Sequence, residues 1–154
     1  MSELLIKNFK FTRGRFVNYV VDLEEGIVGV QPEGFNNTIH WHVGHVLTVA
    51  EQMMFGFPKK STQLPANYMA LFASGTSPAD WEGDVPSVQE LIGQLQEQLT
   101  RINEIPVESF NQRLKTPFLG QETFGELANF AIFHESIHLG QMQAMKRVIK
   151  TAVK

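Results

Sequence analysis

The chain has 154 residues, is 43% hydrophobic and 19% charged, and carries a net charge of −3 with a mean hydropathy of −0.12. That balance leaves no basic footprint for nucleic acid and no polybasic segment for an anionic membrane. With no cysteine, disulfides, thiolate ligands and a cysteine nucleophile are excluded, and any transition metal must rely on His, Asp, Glu and water.

The chain opens with Met1 to Lys7, which has no apolar core of signal-peptide length. Its apolar runs are broken by His, Glu or Gly well short of a membrane span. A cytoplasmic protein without a membrane partner is the expectation, and residues 1–154 read as a single domain.

The first predicted helix runs from about Glu3 to Leu23, with Leu5, Phe9, Phe16 and Val20 at roughly helical spacing. Residues 24–37 hold Gly26, Gly29, Pro32 and Gly34 and read as a loop. A second helix starts near Thr38, which with Asn37 is a candidate cap, and ends near Phe55. Its apolar positions include Ile39, Val43, Val46, Val49, Ala50 and Met53, and Gly56 and Pro58 stop it.

A long connection follows, residues 57–86, punctuated by Pro58, Pro65, Pro78 and Pro86. It has room for a short turn around Ala66 to Ala73 and a helix start at Ser77-Pro78. A connection of this length often forms a lid or pocket wall. The third helix opens on Ser87 with Glu90 three residues on, a capping box. Leu91, Leu95, Leu99 and Ile102 follow on one stripe, until Pro106. Residues 107–121 are irregular, with Arg113 to Phe118 a candidate extended segment. A second capping box, Thr123 with Glu126, opens the fourth helix, which runs to about Lys150. Lys146, Arg147 and Lys150 at its end suit the negative pole of the helix dipole. Four helices with apolar stripes most economically form an all-α four-helix bundle, and the long connection between the second and third permits a crossover.

All five histidines fall in two groups, His40-Trp41-His42-Val43-Gly44-His45 and His134-Glu135-Ser136-Ile137-His138. His134 and His138 are four apart, so they share a helix face one turn apart and can converge on one ion. They lie on a stripe with Leu127, Ala131, Met142 and Met145 and therefore point inward. Two inward imidazoles need a partner for each polar nitrogen, and a shared metal supplies one. The same five residues fit H-E-x-x-H, the zinc-protease helix. Its extended form wants Gly and His where this chain has Gln141 and Ala144, and no sheet is evident to hold a peptide.

The first group can provide a third ligand. His42 and His45 are three apart and face in related directions, so helical geometry alone does not choose between them. Gly44 allows close approach of another element. His40 reads as a surface or cap residue, and His42 alternatively as a pocket-lining one.

Trp41-His42-Val43-Gly44-His45 together with His134-Glu135-Ser136-Ile137-His138-Leu139-Gly140-Gln141 resembles the DinB/YfiT-like superfamily, over the whole chain in length, helix order and motif placement. The resemblance implies an up-down-down-up four-helix bundle and a metal held by His45, His134 and His138. Three neutral histidines leave coordination positions open, as catalytic sites do. Zinc and nickel both suit imidazole. The resemblance further implies a homodimer and a metal-activated low-molecular-weight thiol that attacks an electrophilic small-molecule substrate. Hydrolysis, and a non-catalytic metal-binding stress-response role, are the other readings that the family allows. Glu135, about 100° round the helix from His134, is the catalytic candidate, or else faces a neighbouring helix. Gln52 and Gln141 are candidate pocket groups, and Trp41, Tyr68, Phe72 and Trp81 candidate mouth residues.

Overall fold

The structure is a computed structural model that describes residues 2–56 and 61–152. Four long helices dominate it: α1 (Ser2–Val21), α3 (Ile39–Phe55), α5 (Val88–Asn103) and α6 (Phe124–Ala152). Two short helices, α2 (Glu25–Val28) and α4 (Tyr68–Phe72), lie in the connections. The hairpin β1 (Arg113–Phe118) and β2 (Gln121–Thr123) links α5 to α6. None of the helices described is long and apolar enough to cross a membrane.

The caps are where the side-chain chemistry puts them. Thr38 Oγ1 accepts from the Trp41 amide and starts α3. Ser87 and Glu90 close a reciprocal capping box on α5, and Thr123 and Glu126 do the same at α6. Each satisfies amides that the first helical turn leaves unbonded. Gly56 lies at the end of α3 as expected, whereas Pro58 falls outside the described residues. The segment expected to be extended pairs with a second strand through Leu119 and Gly120. Both have positive φ, 51° and 80°, the combination that a two-residue hairpin turn requires.

Packing follows the apolar stripes. Phe9, Phe16 and Val20 on α1 are buried, and so is Arg13 between them. Each of α1 and α3 packs against both α5 and α6. Arg13 meets Glu135, and Tyr19 meets the Met142 carbonyl, so α1 and α6 run in the same direction. His42 meets His138 and His45 meets His134, so α3 and α6 run oppositely.

A buried polar chain crosses the core. Arg13 donates to Glu135, to the Leu95 carbonyl and to Gln98. Gln98 in turn donates to Glu51, which also accepts from Arg101 and Ser61. This chain ties the four long helices together in one register, because each buried polar group needs its partner at a fixed depth.

Candidate metal centre

His45, His134 and His138 converge. The Nε2 atoms of His45 and His134 are 3.1 Å apart, as are those of His138 and His134. Their candidate ligand atoms all lie within 4.8 Å of one another. Tetrahedral bonds of 2.0–2.1 Å would set nitrogen pairs about 3.3 Å apart, close to the two 3.1 Å separations about His134.

Proton accounting supports the same conclusion. His45 Nδ1 is 2.7 Å from the Phe72 carbonyl oxygen. A carbonyl only accepts, so Nδ1 carries the proton and the Nε2 of neutral His45 presents a lone pair. That lone pair faces two further ring nitrogens in a buried setting. A cation bound by all three is the natural partner.

Local structure explains how His45 is held. Phe72 is the last residue of α4, where helix carbonyls lack intrahelical partners. It reaches α3 because residue 44 is glycine, where any Cβ would overlap the Phe72 ring. Trp41 stacks on the His45 ring at 4.4 Å between centroids and 13° between planes.

Burial keeps the imidazoles neutral. It lowers the pKa of His42 and His134 to about 4, helped by the charges of neighbouring histidines. His138 falls to about 2 through burial and then the charges of His134, His45 and His42. Burial lowers His45 as well, against the hydrogen bond to Phe72 that raises it. Neutral imidazole is the form that binds a metal.

Of the two histidines that helical spacing left open, His45 is the one that groups with His134 and His138. His42 meets His138 from the other side, Nδ1 to Nδ1 at 2.7 Å. His40, expected at the surface or as a cap, is partly buried. Its Nε2–H donates to the Pro86 carbonyl, and its ring packs on Trp81. Glu135 does not join the cluster: its carboxylate accepts from Arg13 at 2.9 and 3.0 Å. Gln141 is exposed. Phe72 contributes its carbonyl to the site, while its ring is core; Trp81 donates to the Leu71 carbonyl.

A cavity of about 740 Å³ lies further along α3, lined by Thr48, Glu51, Gln52, Tyr68, Met69 and Phe118 among others and by none of the histidines. Thr48 and Gln52 continue the helix stripe of His45, one and two turns on. Of the sequence candidates, Gln52 and Tyr68 are on this wall. The Thr48 hydroxyl is buried without a hydrogen-bond partner among the described residues.

Two residues escaped the sequence reading. No sequence signal marks the Phe72 carbonyl. Arg13 did leave a signal, as the one cation on the stripe of Phe9, Phe16 and Val20.

The family model described as the DinB superfamily matches residues 8–142, a span that holds all three converging histidines. A crystal structure described as the conserved protein of locus from Enterococcus faecalis is similar over 97% of this chain and 98% of its own. The two share 15% sequence identity, with a TM-score of 0.66. At that identity the likeness concerns the fold alone. No curated protein matches the chain.

Proposed function

This chain belongs to the DinB superfamily, and on that premise we propose that it is a metal-dependent enzyme that transfers a low-molecular-weight thiol to an electrophilic small molecule. The observation that carries the reading is the convergence of three neutral Nε2 atoms with no fourth protein ligand in the cluster found among the described residues. Zinc or nickel suits that donor set. A divalent ion held there supplies a lowered pKa for a bound thiol or water.

What the chain's own residues do follows from their positions. His45, with its tautomer held by Phe72, presents its lone pair to the site, and His134 and His138 complete the triangle. The cavity beside Thr48 and Gln52 gives the electrophile a mostly apolar wall with a few polar groups, the usual character of a small-molecule pocket. In the transfer, the thiolate sulfur forms a bond to the electrophilic carbon. The leaving group departs with the electron pair of the broken bond, and the thiol proton goes to solvent.

The state of Glu135 argues against hydrolysis of the H-E-x-x-H kind. Its carboxylate is committed to Arg13, so it does not serve as the base that would activate water. The non-catalytic stress-response reading shares the metal and differs in turnover.

The directions of α1, α3 and α6, and the contact of His40 with Pro86 at the starts of α3 and α5, support the up-down-down-up four-helix bundle as part of this proposal. A single domain over residues 1–154 is part of the same proposal. A homodimer rests on family analogy and on exposed Phe133 and Ile137 beside the histidines. A cytoplasmic setting completes the proposal.

The test is metal analysis joined to a thiol–electrophile screen. The purified chain should hold about one divalent ion per protomer, lost in His134→Ala. Turnover should vanish on chelation and return with one metal. Unchanged metal content in His134→Ala would overturn the site; metal uptake with no turnover across thiols would leave the non-catalytic role.

A further inference from the structure

His42 is the one histidine of the cluster that the metal reading does not use. It is 6% exposed, and its Nδ1 lies 2.7 Å from the Nδ1 of His138. In an imidazole the two nitrogens face different sides of the ring. The Nε2 of His138 faces the other ligands, so His42 stands behind His138, outside the ligand triangle. The contact requires a proton on one Nδ1 and a lone pair on the other.

The two ways of placing that proton have opposite consequences. With the proton on His138, its Nε2 is unprotonated and free to bind an ion. With the proton on His42, neutral His138 carries its proton on Nε2, pointing it at the His134 Nε2 that lies 3.1 Å away. The second arrangement blocks the site. His45 avoids this ambiguity because the Phe72 carbonyl can only accept. For His138 the same task falls to a side chain.

We infer that His42 is a positioning residue of the metal centre: its Nδ1 accepts the Nδ1 proton of His138, fixing the ring and tautomer that leave the His138 Nε2 lone pair to the ion. Outer partners of this kind, usually a carboxylate or a carbonyl, orient ligand histidines and raise their basicity. Here the acceptor is an imidazole on the same helix as His45. One helix thus supplies one ligand and the support for another.

The inference rests on the metal reading for its purpose, but its first test needs no metal. In the metal-free, ¹⁵N-labelled chain at neutral pH, two-bond nitrogen–proton spectra report which ring nitrogen of His138 is protonated. The expected result is Nδ1–H in the native chain and in His42→Gln, whose amide oxygen can accept the same proton. In His42→Leu a population with Nε2–H should emerge. Titration with zinc ion alone should then show about a 10–100-fold loss of affinity in His42→Leu, largely restored in His42→Gln, with both variants folded by circular dichroism. A native His138 protonated on Nε2 sinks the inference whatever the variants do. So does a folded His42→Leu chain that keeps the native tautomer and zinc affinity. If the native chain shows the expected tautomer but takes up no zinc, the metal reading fails and the role of His42 fails with it. The wrong tautomer with zinc binding intact overturns this inference alone.

Discussion

Arg13 and Glu135 form a two-point ion pair in the core, Nε to Oε1 at 2.9 Å and Nη2 to Oε2 at 3.0 Å, with both side chains 1% exposed. The pair joins α1 to the helix that carries His134 and His138. It turns the carboxylate of the H-E-x-x-H sequence away from the metal ligands. The glutamate that makes this motif look like a zinc protease is thereby held in an ion pair. Its partner has further duties, since Arg13 also holds the Leu95 carbonyl and Gln98.

Removing one half of that pair leaves the other charged and unpaired in the core. Arg13→Met is expected to cost about 3–5 kcal/mol, whereas replacing both members by apolar residues of similar volume should recover most of it. Glu135→Gln should lose stability but keep its metal, because the carboxylate faces Arg13. Urea unfolding and metal analysis of the three variants measure these outcomes. A cost below about 1 kcal/mol for Arg13→Met would be the loss expected of an exposed pair and would contradict the burial seen here.

Acid should weaken the metal-free chain in a defined window. The histidine pKa values in the fold lie below the ordinary 6.5, at about 4 for His42 and His134 and about 2 for His138. The unfolded chain therefore takes up protons first as pH falls. Stability from these groups is fully present above pH 6.5 and declines below it. The decline is at most about 1.4 kcal/mol per pH unit for each histidine involved. Thermal melts of the metal-free chain from pH 8 to 4.5 should fall below 6.5, whereas zinc on the folded chain should be kept to lower pH, because the rings there stay neutral to about pH 4. Melting temperatures that stay level from 6.5 to 4.5 would mean that the rings are solvated in the fold.

Gly44→Ala should damage the site without touching a ligand. The added Cβ overlaps the fully buried Phe72 ring, so overpacking should cost about 1–3 kcal/mol. Phe72 must shift, and its carbonyl leaves His45 Nδ1. The expected signature is weaker zinc binding together with a lowered melting temperature. Native zinc affinity in this variant would show that the Phe72 carbonyl does not hold His45.

Much of the fold was legible because its signals are local. A serine or threonine three residues before a glutamate satisfies its own helix start, so both capping boxes could be read directly from Ser87-Glu90 and Thr123-Glu126. The turn at Leu119-Gly120 was less legible, since leucine does not advertise a positive φ.

What the sequence by itself determined was the pair His134 and His138, because four residues is one turn of helix and the partner is built into the same element. What only the tertiary structure decided was everything that crosses between elements. His42 and His45 differ by three positions on one helix, and periodicity fixes their angle to each other but not to α6. The packing of α3 against α6 turns His45 towards His134 and sets His42 behind His138. Likewise the motif could not say where Glu135 points, because its partner Arg13 lies 122 positions away in the chain. Angles within a helix are set by the backbone; angles between helices are set by how their side chains interlock.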